Sequence, residues 1–192
     1  MAATAGVTPM SLDAVAASHH QLRGLPVLPA SVQQIAYVVP DLRRAIAHWV
    51  NTAGVGPFSV REHIGYKQFQ FEGKDYSVDY SIAQAWHGDL QIELLCQHDD
   101  LPSVLTRFPA PSNSIHHIGC RVEDFDTGRA QLLGRGFREV QRVLAPNGTI
   151  AGFFHSAETV GLIELVYLAD GGAGWREQQR LAREWDGSSL YA

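Results

Sequence analysis

Four residues of this 192-residue chain carry side chains that could share one divalent cation: Gln34, Glu93, His117 and Glu164. Each is a polar residue in a strand-like apolar run. Gln34 opens "QIAYVVPDL" (34–42) and His117 opens "HIGCRVEDF" (117–125). Glu93 and Glu164 each stand between isoleucine and leucine, in "LQIELL" (90–95) and "GLIELV" (161–166). A glutamate in a buried strand is expensive unless it is paired or coordinated. One imidazole, two carboxylates and one amide oxygen, with no thiolate, form a harder donor set than a structural zinc site. Zn, Mn, Co, Ni and Mg all suit it. His116 sits directly before His117, and neighbouring strand residues point to opposite faces. At most one of these two imidazoles is therefore expected to face a given interior.

The elements that must position these residues come in two copies. In each copy a polar residue leads an alternating strand into an aspartate, Asp41 or Asp124, placed to cap a following helix. "DLRRAIAHWVNTAG" puts Leu42, Ile46, Trp49 and Val50 on one face and stops at Gly54. "DFDTGRAQLLGRGF" does the same with Phe125, Leu132 and Leu133, stopping near Gly134 or Gly136. Strand-like segments follow: "YSVDYSIAQAW", alternating at Tyr76, Val78, Tyr80 and Ile82, in the first copy, and "TIAGFFHS" in the second. Each half then closes on its Ile-Glu-Leu core. A duplication of strand, helix and about three strands constrains the whole fold. Two such halves packed about a pseudo-twofold bring Gln34, Glu93, His117 and Glu164 onto one shared face.

This reading divides the chain into modules 32–100 and 113–170 of one domain, 32–170, joined by a linker with three prolines. Residues 1–31 form an extension. Residues 171–192 form a tail with one amphipathic helix, whose apolar side is Trp175, Leu181 and Trp185. Net charge is -5 and 45 % of residues are apolar. That leaves no basic footprint for nucleic acid and enough apolar material for a core. No apolar run approaches the roughly 20 residues of a membrane helix, and the N-terminus lacks a signal-peptide pattern. A cytoplasmic location is expected, with Cys96 and Cys120 as buried free thiols.

The pair "QIAYVVPDL…QIELL" and "HHIGCRVEDF…GLIELVY" resembles the vicinal oxygen chelate superfamily, which includes glyoxalase I and methylmalonyl-CoA epimerase. The resemblance covers residues 32 to 168. It implies an α+β fold in which paired βαβββ modules form a cupped, mostly antiparallel sheet around one divalent metal ion. The family's four ligand positions fall on Gln34, Glu93, His117 and Glu164, which makes His117 rather than His116 the ligand. "GVGPF" (54–58) and the module layout look closer to the epimerase-like branch, while glutamine at position 34 also suits some glyoxalase I enzymes. His155 matches a family histidine and is expected to line the substrate pocket.

Such a site implies proton removal from carbon beside a carbonyl, with metal-bound carbonyl oxygen stabilising the charge that develops. By resemblance Glu164 is the general base, and Glu93 returns the proton on the opposite face. Opposed carboxylates suit an epimerase or isomerase, the preferred reading. A glyoxalase I-type lyase would use the same ligands on a glutathione hemithioacetal. An extradiol dioxygenase needs two histidines and a carboxylate on iron, and Gln34 argues against it. A non-catalytic ligand-binding protein of the bleomycin-resistance type would not need all four ligand-type residues. The partner is a small molecule; a thioester handle would call on Arg61 and Lys67 in "VREHIGYKQF" (60–69). A homodimer is also expected, because paired modules expose sheet edges.

Overall fold

The computed structural model describes residues 28–111, 114–157 and 161–192. Most of the 1–31 extension therefore lies outside the described residues. Ten strands form one sheet: β1 (Val32–Val38), β2 (Ser59–Ile64), β3 (Gln68–Phe71), β4 (Lys74–Asp75), β5 (Tyr80–His87), β6 (Leu90–Gln97), β7 (His117–Val122), β8 (Arg138–Leu144), β9 (Ile150–His155) and β10 (Leu162–Tyr167). Helices α1 (Leu42–His48), α2 (Val104–Arg107), α3 (Phe125–Leu133) and α4 (Ala173–Glu184) complete it.

Both module helices start as their sequences predict. The Asp41 carboxylate accepts from the Arg44 backbone N–H, and that of Asp124 from Thr127, each satisfying an orphan donor of the first turn. α1 runs on into a π-helical stretch, Trp49–Ala53, that ends at Gly54 in the left-handed region. The apolar stripe of α1 packs on Ala83, Ala85, Ile92 and Leu94, and that of α3 on Cys120, Phe154, Ile163 and Leu165. These residues alternate along their strands with the ones that face the other way, so the helices cover the outer face and leave the inner face for the site.

The strand order is β2-β5-β6-β1-β7-β10-β9-β8-β3-β4. Of these ten strands only the pairs β1·β6 and β7·β10 are parallel; the seam between the halves, β1·β7, is antiparallel. The glyoxalase-like α+β architecture is thus present as a curled, mostly antiparallel sheet. The two copies differ in one respect that the repeat does not announce. The β3–β4 hairpin lies in the first copy by sequence, yet β3 pairs with β8 of the second. It carries Phe69 and Phe71 into the inner core beside Val143 and Phe153, so the second half is completed by a hairpin of the first.

"YSVDYSIAQAW" also forms less strand than its alternation suggests. β5 begins at Tyr80, and all but its last residue are buried. Covered by α1 outside and by the cup inside, this strand has no wet face, so polar–apolar alternation is a poor guide to it. Both cysteines are buried and free. The sheet ends at β2 and at the two-residue β4; a very short edge strand offers little template for further pairing. Among the described residues no helix is long and apolar enough to cross a membrane.

Candidate metal centre

Each half offers one residue from its first strand and one from its last. Glu93 on β6 and Glu164 on β10 are separated by β1 and β7, which on a flat sheet would hold them about 14 Å apart. Instead both reach the same imidazole. His117 Nε2 lies 3.5 Å from Glu93 Oε2 and 3.4 Å from Glu164 Oε2, so the curl of the sheet is what assembles the site. Gln34 lines the same cavity as the two glutamates, a space of about 190 Å³.

Gly119 supplies the room. It pairs with Gln34 across the seam and with Glu164 on the other side, and a Cβ there would run into Oε1 and Cβ of Gln34. Gly119→Ala is expected to displace the Gln34 amide and to weaken divalent-metal affinity. Overpacking should also lower stability by about 1–3 kcal/mol. Calorimetric metal titration and thermal melting check this; unchanged affinity would mean that Gln34 is not a ligand.

The donor atoms fit a cation. Gln34 Oε1, Glu93 Oε2, His117 Nε2 and Glu164 Oε2 are all buried without a hydrogen-bond partner among the described residues. Orphaned buried polar atoms are rare and costly, and here they comprise one candidate donor atom from each of the four residues. Two donors held about 2.0–2.2 Å from a common ion lie roughly 3–3.5 Å from each other, which is the spacing around His117. At those distances the imidazole makes poor hydrogen bonds, so its attraction to the glutamates is mainly electrostatic. Burial opposes a charge on His117, but Glu164 and Glu93 outweigh it and raise the imidazole pKa to about 9. Burial first, then the charge of Glu93, pushes the Glu164 carboxyl above its ordinary range against the pull of His117. Two buried carboxylates facing one imidazole leave negative charge that a divalent ion would neutralise.

His116 does not point away from its neighbour. It precedes β7, outside the pleat that would send the two rings to opposite faces, and it is buried with Nδ1 2.9 Å from His117 Nδ1. Its Nε2 lies 3.3 Å from the Val104 carbonyl, which can only accept, so the proton of neutral His116 sits on Nε2. Burial, and then the charge of His117, holds the His116 pKa down to about 4. The bare Nδ1 of His116 therefore accepts from His117 Nδ1–H, leaving His117 Nε2 to face the glutamates. The strand-alternation expectation is corrected here: His116 is the orienting partner of His117.

A second relay fixes Gln34. The indole of Trp86 can only donate, and its Nε1 lies 3.3 Å from Gln178 Oε1. That oxygen also accepts from Gln91 Nε2 at 3.4 Å, and Gln91 Oε1 accepts from Gln34 Nε2 at 2.8 Å. Amide orientation thus passes from a donor-only indole through three glutamines, and Gln34 turns its oxygen rather than its NH₂ into the site. Gln178 belongs to α4, which with Gly174 and Trp175 lines the cavity, and Trp175 packs on Trp86 at 5.4 Å. The tail predicted to stand outside the repeat is thus a wall of the site.

Of the other polar residues of the cavity, Gln84 and Gln141 carried no sequence signal, whereas Arg61 is among those expected near it. Gln84 Nε2 donates to Glu93 Oε1 at 2.7 Å, and Gln84 Oε1 accepts from the Arg61 guanidinium at 3.1 Å. Arg61 is the only cationic side chain lining the cavity among the described residues; Lys67 lines a separate groove. Tyr80 and Gln141 line the cavity as well, with Tyr80 Oη and Gln141 Nε2 lacking a hydrogen-bond partner among the described residues. His155 lies against Phe108 at 5.1 Å and is not among the residues lining the cavity.

A curled sheet of paired modules with polar residues converging inside defines a class of protein, and the comparisons agree. Residues 33–153 match the family model of the glyoxalase/bleomycin resistance protein/dioxygenase superfamily, and the chain belongs to that superfamily. Among solved structures it is similar to methylmalonyl-CoA epimerase from Mycobacterium tuberculosis, at 22 % identity and a TM-score of 0.52, covering 78 % of this chain and 96 % of that one. A Streptomyces coelicolor methylmalonyl-CoA epimerase variant in complex with 2-nitronate-propionyl-CoA gives 19 % and 0.53, over 73 % and 95 %. A hypothetical protein from Bacillus halodurans gives 17 % and 0.51, over 72 % and 94 %. At these identities the likeness is one of fold. No curated protein matches the chain in sequence.

Proposed function

We propose that this chain is a divalent-metal-dependent epimerase or isomerase that moves a proton on the carbon beside a carbonyl or thioester. One observation carries the reading: buried carboxylates from the two halves, Glu93 and Glu164, approach the same imidazole nitrogen within 3.5 Å at the edge of a cavity. Gln34, Glu93, His117 and Glu164 would hold the metal, which when bound supplies Lewis acidity at a carbonyl oxygen. Glu164 removes the proton and Glu93 returns one from the other side. Similarity in fold to methylmalonyl-CoA epimerases supports this reading.

A glyoxalase-type lyase is the second reading, favoured by the oxygen that the Gln34 amide turns into the site. The test is a panel of acyl-CoA thioesters and glutathione hemithioacetals run in D₂O. An epimerase will place solvent deuterium on the carbon beside the carbonyl of a thioester without needing glutathione. Turnover only with glutathione would favour the lyase, and oxygen uptake would point to a dioxygenase. Metal-independent binding without turnover would leave a sequestering protein.

A further inference from the structure

We propose that His63, Asp79 and His98 form a second divalent-cation site, on the outer side of the sheet and separate from the cavity. One candidate ligand atom of each lies within 4.8 Å of the other two. Three chain segments converge there: β2 brings His63, the residue before β5 is Asp79, and the residue after β6 is His98. Tyr80, Ile82 and Leu95 line the cavity, so their strand neighbours Ser81 and Cys96, which border the cluster, point the other way.

The local backbone is built to aim His63 at this spot. The register of β2 against β5 shifts between Arg61 and Ile64, and His63 takes a φ of 51°. Non-glycine residues at positive φ are uncommon, and bulges of this kind re-aim a side chain. The turned His63 donates its backbone N–H to Ser81 Oγ at 3.0 Å. Its Nδ1 lies 2.8 and 3.0 Å from the two Asp79 oxygens. The same Ser81 hydroxyl is 2.8 Å from His98 Nε2, and Cys96 Sγ lies 4.0 Å from His98 Nδ1.

A surface ion pair accounts for His63 beside Asp79. It does not account for a second imidazole laid against the first, with ring centroids 4.7 Å apart and planes tilted by 34°. Two imidazoles beside a carboxylate make a donor set for borderline divalent ions such as Zn²⁺, Co²⁺, Ni²⁺ or Cu²⁺. Asp99, whose carboxylate accepts from the Asp79 backbone N–H at 2.7 Å, adds negative charge nearby. An ion here would pin edge strand β2 to β5 and β6, and with it Arg61, which faces the cavity two residues earlier.

The experiment is a calorimetric titration of the metal-stripped full chain with ZnCl₂, beside His63→Gln, Asp79→Asn and His117→Ala. His63 and Asp79 are 65 % and 41 % exposed in their side chains, so these two replacements leave the core intact. The parent is expected to take up two equivalents. His63→Gln and Asp79→Asn should each weaken one of them at least tenfold, and His117→Ala should remove only the other. Uptake of one equivalent that survives His63→Gln unchanged overturns this site. Uptake of one that His63→Gln abolishes supports it and removes the cavity centre instead.

Discussion

His117→Ala is expected to abolish divalent-metal binding in the cavity, and His116→Ala to weaken it by roughly 10–100-fold, the usual effect of losing an outer-shell partner. The first change removes the imidazole whose Nε2 lies between Glu93 and Glu164. The second keeps it but deletes the acceptor that ties down His117 Nδ1–H, so the ring turns and its tautomer is no longer fixed. Metal uptake should also depend on pH with a definite sign. The metal-free imidazole has its pKa raised to about 9, so below that pH a proton must leave before the cation binds. Affinity should therefore rise about tenfold per pH unit between 6 and 9, as His117 gives up its proton, and flatten above. Calorimetry in buffers of different ionisation enthalpy would count the released proton. A His116→Ala variant binding like the parent would show that the 2.9 Å contact does not orient the ligand.

The site and its supports were not equally readable. Gln34, Glu93, His117 and Glu164 stand out because a polar residue in an apolar strand is conspicuous, and the duplication says which ones correspond. The capping aspartates Asp41 and Asp124 are local signals, and each makes its backbone contact within three residues. The orienting partners are not local. Gln91 meets Gln34 from 57 residues away and Gln178 from 87, and nothing in a glutamine's neighbours along the chain tells that it is part of a relay. His116 was hidden for another reason. Alternation holds inside a strand, and β7 starts one residue later. The exchange of the β3–β4 hairpin onto β8 is likewise a pairing of residues some 70 positions apart, with no pattern in either segment to announce it.

Glu164→Gln is expected to keep the metal within about tenfold of the parent affinity and to lower turnover by the roughly 10²–10⁴-fold typical of a lost general base. The amide retains an oxygen for coordination and removes the basic oxygen. The surroundings of the two glutamates favour Glu164 for that role. Glu93 has one oxygen held by the Gln84 amide at 2.7 Å, and Gln84 is in turn held by Arg61. An oxygen already engaged in that chain of hydrogen bonds is less free to approach a substrate carbon. Among the described residues Glu164 Oε2 has no hydrogen-bond partner, and burial pushes the carboxyl pKa upward against the pull of His117, towards the range in which a carboxylate can take a proton from carbon. Glu93→Gln should slow epimerisation too, yet exchange of the proton on the Glu164 side with D₂O should persist. That difference between the two variants is the signature of opposed acid and base. Full turnover in Glu164→Gln with metal bound would remove Glu164 from the mechanism, and equal loss of exchange in both variants would make the two carboxylates a single metal-holding unit.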